Sequence, residues 1–329
     1  MEVVTATETG SRVVAEAAHP TGRKGARPFL IVHRLPSEKS HFRSVGSIPF
    51  ESPVKYLLDN WHKIQPDLIH VHDFESLQIG LMLKTAKDRP LVLTVHRTPK
   101  EPDPSLPHRD PKSCYLKFVR LYGLADVVVA PSQAYKDHLI AEGFPEDRVR
   151  LIDHGVPVRK LAAVRPKRGV LERLGLAPDD KFVLCPIRLD PHKGAETFIE
   201  AAALVKNRLG TQGLVFAIAG SGDSVYRTKL EKQAREQGVE NVLRLGATDG
   251  VDFLPDEMPT LYSRATLCVL PSRREGFGQV LLEASAFKCP VLGANTGGIP
   301  ELMKPYETGL LFNRDEPHDL ADQLCTLLQ

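Results

Sequence analysis

The sequence lacks several features that would assign it to a particular class of protein. No apolar run approaches the roughly 18 residues that a membrane-spanning helix needs, and no stretch has the pattern of a signal peptide. Neither sign of charge dominates, because 43 Lys and Arg face 41 Asp and Glu, so no strong field favours nucleic acid. The five cysteines follow no zinc spacing, and their scatter favours free thiols in a reducing compartment. These absences predict a cytoplasmic protein without a nucleic-acid partner.

A complete Gly-x-Gly-x-x-Gly after a strand, with an acidic residue about 20 positions on, is also missing, which disfavours an NAD-dependent oxidoreductase. What the chain does contain is repeated alternation of short apolar runs with longer amphipathic stretches, as is typical of parallel sheets with crossover helices. A polar, basic stretch at 159–169 separates two such series. The pattern predicts an α/β fold of two Rossmann-like parallel-sheet domains that face each other across a cleft, over residues 1–155 and 156–329.

The predicted strands are apolar runs rich in β-branched residues, and the predicted helices are the amphipathic stretches between them. In the first half the strands are 2–6, 29–32, 68–71, 91–95, 127–130 and 149–152, and the helices are 53–64, 75–86, 113–122 and 133–142. In the second half the strands are 182–187, 214–219, 242–245, 266–270 and 291–292, and the helices are 195–209, 225–237, 279–287 and 317–328. The Pro-rich segment 98–111 is predicted to be a functional or mobile loop.

The most informative segment, PSRREGFGQVLLEA at 271–284, follows an apolar strand and opens a helix. Gly276 and Gly278 let the backbone approach a ligand closely, and a helix N-terminus binds phosphate. Glu275 and Glu283 are separated by up to ~12 Å at the helical rise per residue, which excludes a shared proton and suits two hydroxyl-binding tasks. A plain helix start, where acidic residues meet the macrodipole favourably, explains the same segment taken alone.

Other predicted strand ends carry further candidate residues. Arg188 and Lys193 follow strand 182–187, where together they could neutralise a diphosphate, although exposed loops also carry solvated cations. Gly220 and Gly222 follow strand 214–219, and a further glycine turn, NTGGIPE, lies at 295–301. Both turns are places where the backbone can approach a ligand.

Histidines end two predicted strands of the first half. Alternation places His70 and His72, at and just after the end of strand 68–71, on one face, and His96 follows strand 91–95. The spacing of the first two also suits a metal, yet no third ligand is evident in the sequence. We therefore expect no metal site.

The four elements of the second half resemble, in the same order, those of retaining glycosyltransferases of family 4, which have the GT-B fold. They are the Arg and Lys after the first strand, the AG-x-G turn, the PS-x3-EGFG-x4-E element and the GG-x-P-E turn. The HVHD strand end at 70–73 and the TVH strand end at 94–96 resemble the acceptor domain of that family. Ser132 and the HGV at 154–156 match further family positions and are expected to be structural.

The resemblance implies a site for a nucleoside diphosphate sugar. Arg188 and Lys193 would bind the diphosphate, Glu283 the ribose hydroxyls and Glu275 the transferred sugar. His96 would lie near that sugar. The donor contacts would be completed by glycine turns and by the backbone of the loop that opens the helix, at Gly220, Gly222, Gly276, Phe277 and Gly278.

The resemblance implies no cofactor besides the donor substrate, and it leaves the acceptor open among lipids, glycans and small metabolites. Peripheral contact with a membrane also stays open. The family's first strand, glycine loop and helix are not found ahead of the run at 2–6, nor is its C-terminal crossing helix found after 317–328. The alternative expectation is thus a truncated or catalytically inactive protein that binds nucleotide sugars.

Overall fold

The computed structural model of the chain describes residues 2–7, 14–17, 30–36, 51–96, 123–210 and 213–328. Contacts between these residues group them into two compact units, one formed by residues 1–130 and 139–150 and the other by residues 131–138 and 151–329. The predicted loop at 98–111 and the predicted helix at 113–122 lie outside the described residues. The domain boundary at residue 155 stays a prediction.

The first unit contains two sheets. Strands β1 (Glu2–Thr7), β2 (Val14–Ala17) and β3 (Leu30–Pro36) form the smaller one, in which the central β3 is parallel to β1 and antiparallel to β2. The other sheet has the order β4, β5, β6 and β7, with parallel pairing from β4 to β6. Its strands are Ile69–His72, Leu91–Thr94, Val127–Ala130 and Val149–Leu151. The antiparallel β2 was not predicted.

Helices of the first unit precede or connect these strands. The predicted helix 53–64 is divided at Asn60 into α1 (Glu51–Asp59) and α2 (Trp61–Ile64). Helix α3 (Asp73–Lys87) joins β4 to β5 and packs closely on the sheet at Gly80, where an added Cβ would lie 2.8 Å from the side chains of Val71 and Leu91. Helix α4 (Gln133–Ala141) begins in the second unit and ends in the first.

The sheet of the second unit is wholly parallel, with the strand order β10, β9, β8, β11, β12 and β13. The strands are Lys181–Cys185 (β8), Leu214–Ile218 (β9), Leu243–Leu245 (β10), Leu267–Leu270 (β11), Val291–Ala294 (β12) and Leu310–Phe312 (β13). The helices are Val158–Ala162 (α5), Val170–Arg173 (α6), Ala195–Leu209 (α7), Ser224–Glu236 (α8), Met258–Arg264 (α9), Gln279–Ala286 (α10) and Pro317–Leu328 (α11). The predicted α/β class is confirmed.

The strand order of this second sheet fixes where a ligand can settle. From β8 the chain moves outward to β9 and β10, and it then returns to place β11 on the other side of β8. From the carboxyl ends of β8 and β11 the chain therefore continues toward opposite sides of the sheet, and in open α/β sheets such a switch point is the usual ligand site. Both strands are buried along almost their whole length, so the loops rise from a fixed platform.

Among the described helices, none is both long enough and apolar enough to cross a membrane.

Candidate functional site

The loops after β8 and β11 bring two of the predicted site residues together. Lys193, in the short 3-10 turn Pro191–Lys193, places its Nζ 2.7 Å from Oε2 of Glu275. The backbones also meet, because an added Cβ on Gly194 would lie 2.0 Å from the carbonyl oxygen of Pro271. A cation and a carboxylate are thus held side by side at the point where the strand order reverses.

Glu275 has a second partner in its own loop. The buried hydroxyl of Ser272 donates to Oε2 at 3.0 Å, the same oxygen that accepts from Lys193. In the part of the chain that the structure describes, no group donates to Oε1. The carboxylate is therefore oriented through one oxygen, and the other oxygen can accept a further hydrogen bond.

Arg188 lies nearer to the end of β8 and is exposed. Its guanidinium makes no hydrogen bond or ion pair with the residues that the structure describes. Arg188 therefore differs from Arg273 in the facing loop, which donates to Asp315 at 2.6 Å and to Glu196 at 3.1 Å. Of these two arginines, Arg188 has its planar donor fork available for an anion.

Glu283 lies on α10, and a buried tyrosine orients it. The hydroxyl of Tyr262 on α9 donates to Oε2 of Glu283 at 2.9 Å, and the Tyr262 ring stacks on Phe287. Tyr262 is only 2% exposed, and burial together with the charge of Glu283 raises the pKa of its hydroxyl far above the usual value. The phenol stays protonated and remains a donor, so the Glu283 carboxylate is held independently of Glu275.

Gly220 and Gly222 are needed for the way the chain packs on itself. An added Cβ would lie 2.0 Å from the carbonyl oxygen of Ile187 at Gly220 and 2.2 Å from that of Leu189 at Gly222. The amide of Leu189 also donates to the carbonyl of Ser221 at 2.8 Å. The turn after β9 is therefore pressed against the loop that carries Arg188. Contact of these glycines with a donor stays a prediction.

The loop from Gly276 to Gly278 leads into α10. Phe277 is buried and meets the His154 ring edge-on, with ring centroids 5.5 Å apart. Gly278 has a φ of +90°, which favours glycine, and it immediately precedes the first turn of the helix. The first amides of α10 are therefore at the end of the same loop as Glu275.

His96 belongs to the first unit, where it joins a row of histidines. Its Nε2 lies 2.9 Å from Nδ1 of His72, whose ring stacks on that of His70 with centroids 4.6 Å apart. His70 in turn lies 2.8 Å from the hydroxyl of Thr94. Partial burial, then the nearby His72 and His96, lower the pKa of His70. Among the described residues, no group of three or more His, Cys, Asp or Glu side chains has the geometry to hold a metal ion.

Comparison with known families accounts for nearly the whole chain. Residues 2–160 match Glycosyltransferase Family 4, and residues 170–329 match Glycosyl transferases group 1. The chain belongs to glycosyltransferase family 4. This membership agrees with the order of the motifs at 188–193, 219–222, 271–284 and 297–301.

Curated relatives of this family 4 chain include two enzymes named D-inositol 3-phosphate glycosyltransferase. The protein from Corynebacterium glutamicum (strain R) is 30% identical over 280 residues, which is 81% of this chain and 65% of the relative. That from Nocardia farcinica (strain IFM 10152) is 32% identical over 273 residues, 80% of this chain and 58% of the relative. The chain thus spans about three fifths of the length of these relatives.

Solved structures similar to this family 4 chain have the GT-B fold. Anabaena Alr3699/HepE in complex with UDP-glucose is 25% identical with a TM-score of 0.69, and the match covers 84% of this chain and 72% of that one. Sucrose-phosphate synthase from Thermosynechococcus elongatus is 23% identical with a TM-score of 0.73, and the match covers 99% and 79%. The predicted GT-B fold is confirmed.

Tyr262 contacts the predicted site residue Glu283 but was not itself predicted from the sequence of this family 4 chain. It lies on α9, which was not predicted, and 21 positions before its partner Glu283. Ser272 lies within the motif at 271–284, but the sequence indicated no role for it. In the structure its hydroxyl donates to Glu275. Only the structure shows that each hydroxyl orients a predicted carboxylate.

Proposed function

We propose that the protein transfers a sugar from a nucleoside diphosphate sugar to an acceptor hydroxyl with retention of the anomeric configuration. The observation that carries the proposal is the pair of Lys193 and Glu275, with Nζ and Oε2 2.7 Å apart, at the switch point of a parallel sheet. At such a site the ammonium group of Lys193 can bind a diphosphate, and the adjacent Glu275 carboxylate can accept hydrogen bonds from sugar hydroxyls. Family membership supports the same substrate class.

In this proposal the diphosphate lies between the loops after β8 and β11. Arg188 and Lys193 bind its oxygens, and the first amides of α10 add the partial positive charge of a helix N-terminus. Glu283, held by Tyr262, accepts hydrogen bonds from the ribose hydroxyls. The HepE complex with UDP-glucose makes a uridine nucleotide the first donor to test.

The sugar would lie beside Glu275, whose Oε1 accepts from a sugar hydroxyl. His96 is proposed to contact the transferred sugar, as the family's strand end implies. Gly220, Gly222 and the backbone of residues 276–278 are proposed to complete the donor contacts.

The proposed reaction exchanges one bond at the anomeric carbon for another. The bond from that carbon to the phosphate oxygen breaks, and its electron pair leaves with the diphosphate. The acceptor oxygen bonds to the carbon on the same face, and the acceptor proton passes to the departing phosphate oxygen. Arg188, Lys193 and the α10 amides would stabilise the charge that develops on the diphosphate, which is the preorganised electrostatic kind of catalysis.

The acceptor is proposed to be a small phosphorylated polyol, since the relatives are named for D-inositol 3-phosphate. Lipid and glycan acceptors are the competing classes. A second candidate function is binding of nucleotide sugars without turnover. A turnover assay that crosses a panel of donors with acceptors of all three classes separates an enzyme from a binding protein.

Donor binding is tested by calorimetry with UDP-glucose. We expect Lys193→Ala and Glu283→Ala each to lose measurable binding, because each removes a charged partner of the ligand. The control is Lys232→Ala, which removes a lysine on α8 whose side chain is 71% exposed and pairs with Glu236. Unchanged affinity in both site variants would refute the assignment of the donor site.

A further inference from the structure

Two peptide groups of the loop 275–278 are fixed from one side. The carbonyl oxygen of Glu275 accepts from the amide of Gly298 at 3.3 Å, and that of Gly276 accepts from the hydroxyl of Ser132 at 2.8 Å. In a trans peptide the C=O and N–H bonds point in opposite directions, and the described residues contain no cis peptide. The amides of Gly276 and Phe277 therefore point away from Ser132 and Gly298.

The turn at Gly297 and Gly298 packs so closely against this loop that only glycine can occupy the two positions. An added Cβ would lie 1.8 Å from the Glu275 carbonyl oxygen at Gly297 and 2.5 Å from the Gly276 carbonyl oxygen at Gly298. Gly297 also has a φ of +53°. The turn at 297–298 thus supports both carbonyl groups directly.

Glu301 connects the turn at 297–298 to the first residues of α4 through hydrogen bonds. Its two carboxylate oxygens accept from the backbone amides of Gln133 at 2.7 Å and Ala134 at 2.8 Å. Ser132, fully buried, accepts from the amide of Tyr135 at 3.2 Å while it donates to Gly276. Both the proton and an acceptor position of that hydroxyl are committed, so its direction toward Gly276 is fixed.

We propose that Ser132 and Glu301 are positioning residues that hold the amides of Gly276 and Phe277 toward the nucleoside diphosphate sugar. Neither residue touches the donor itself. Glu301 holds the start of α4, Ser132 holds the Gly276 carbonyl, and the two amides present fixed donors to an anionic and hydroxyl-rich ligand. The inference rests on the proposed function, because it concerns the same site.

The test combines calorimetry with UDP-glucose and amide hydrogen exchange on the ligand-free chain. The variants are Ser132→Ala and Glu301→Gln, and the matched control is Ser285→Ala. Ser285 also donates its hydroxyl to a backbone carbonyl at 2.8 Å, that of Leu281 within α10, so the control makes the same chemical change. Binding is measured where all four proteins are fully folded, so a purely structural loss leaves Kd unchanged.

We expect both variants to bind UDP-glucose about tenfold more weakly, the size of one lost hydrogen bond to a charged ligand, while the control binds as wild type. We also expect faster exchange of the Gly298 amide in both. Wild-type affinity in both variants would overturn the inference. If the wild-type protein binds no nucleotide sugar, the proposed function is refuted. Independently of ligand binding, an unchanged exchange rate of the Gly298 amide in Ser132→Ala and Glu301→Gln would overturn the inference.

Discussion

The two parallel sheets of the molecule hold the residues at their strand ends in different ways. In the second unit the backbones of two loops are in direct contact, at Gly194 and Pro271. Charged side chains such as Lys193 extend from these loops. At the ends of β4 and β5 in the first unit, the contacts run between side chains, from Thr94 through a row of histidines to His96. Lys, Arg and Glu keep their charges near neutral pH whereas histidine does not. The stability of the second unit should therefore be sensitive to an added side-chain atom at the backbone contact, and the stability of the first unit to pH.

The largest expected effect comes from breaking the backbone contact in the second unit. Gly194→Ala puts a methyl group 2.0 Å from the Pro271 carbonyl oxygen, at a φ of +72°. Because neither backbone can retreat easily, we expect the free energy of unfolding to fall by on the order of 4 kcal/mol, within the range reserved for severe core clashes. Urea unfolding followed by far-UV circular dichroism measures the loss.

The matched control is Gly238→Ala, which has a φ of +66° and nothing within 4 Å of an added Cβ. It carries the backbone strain without the clash, and we expect a loss of about 1–2 kcal/mol. Equal losses in the two variants would mean that strain alone, and not the meeting of the two loops, explains the need for glycine at position 194.

Much of the fold could be predicted because periodicity and end signals agree. The helices at 195–209 and 317–328 have the predicted bounds, and the strands of both parallel sheets lie within about two residues of theirs, except β13 (Leu310–Phe312), which was not predicted. Gly194 and Gly210 delimit the first of these helices in the sequence itself. The proximity of Lys193 and Glu275 could also be predicted, since both residues follow predicted strands whose carboxyl ends lie on one edge of the sheet.

What could not be predicted depends on partners that are distant in the sequence. A glycine pattern reveals backbone freedom but not the packing partner, so the contact of Gly220 with the carbonyl of Ile187, 33 positions earlier, could not be predicted from the sequence. Helix α9 was missed because it is short, and with it the link from Tyr262 to Glu283. The short antiparallel β2 carries too few apolar positions for a period to be read.

Tyr262→Phe tests an exception within the second unit, because a side chain rather than the backbone holds Glu283, the proposed ribose-binding residue. The substitution keeps the ring that stacks on Phe287 and removes only the hydrogen bond to Glu283. We expect the affinity for UDP to fall about fivefold, equivalent to about 1 kcal/mol, by calorimetry. The matched control is Tyr226→Phe, which removes a 2.7 Å hydrogen bond to Glu196 on α7. Equal affinities in the two variants would exclude a positioning role for Tyr262.

The smallest effect is expected from the pH dependence of the histidine row. The pKa of His70 is lowered in the folded state from 6.5 by partial burial and by His72 and His96, so folding favours its neutral ring. Below about pH 6.5 the unfolded chain binds this proton more readily than the folded one, and the free energy of unfolding should fall as the pH drops through this range.

The single tryptophan, Trp61, lies in the first unit, so its fluorescence in urea reports the unfolding of that unit. We expect His70→Gln to flatten the fall between pH 7.5 and 5.5, whereas His62→Gln, at an exposed position on α2, leaves it unchanged. A slope that persists in His70→Gln would show that the proton is taken up elsewhere.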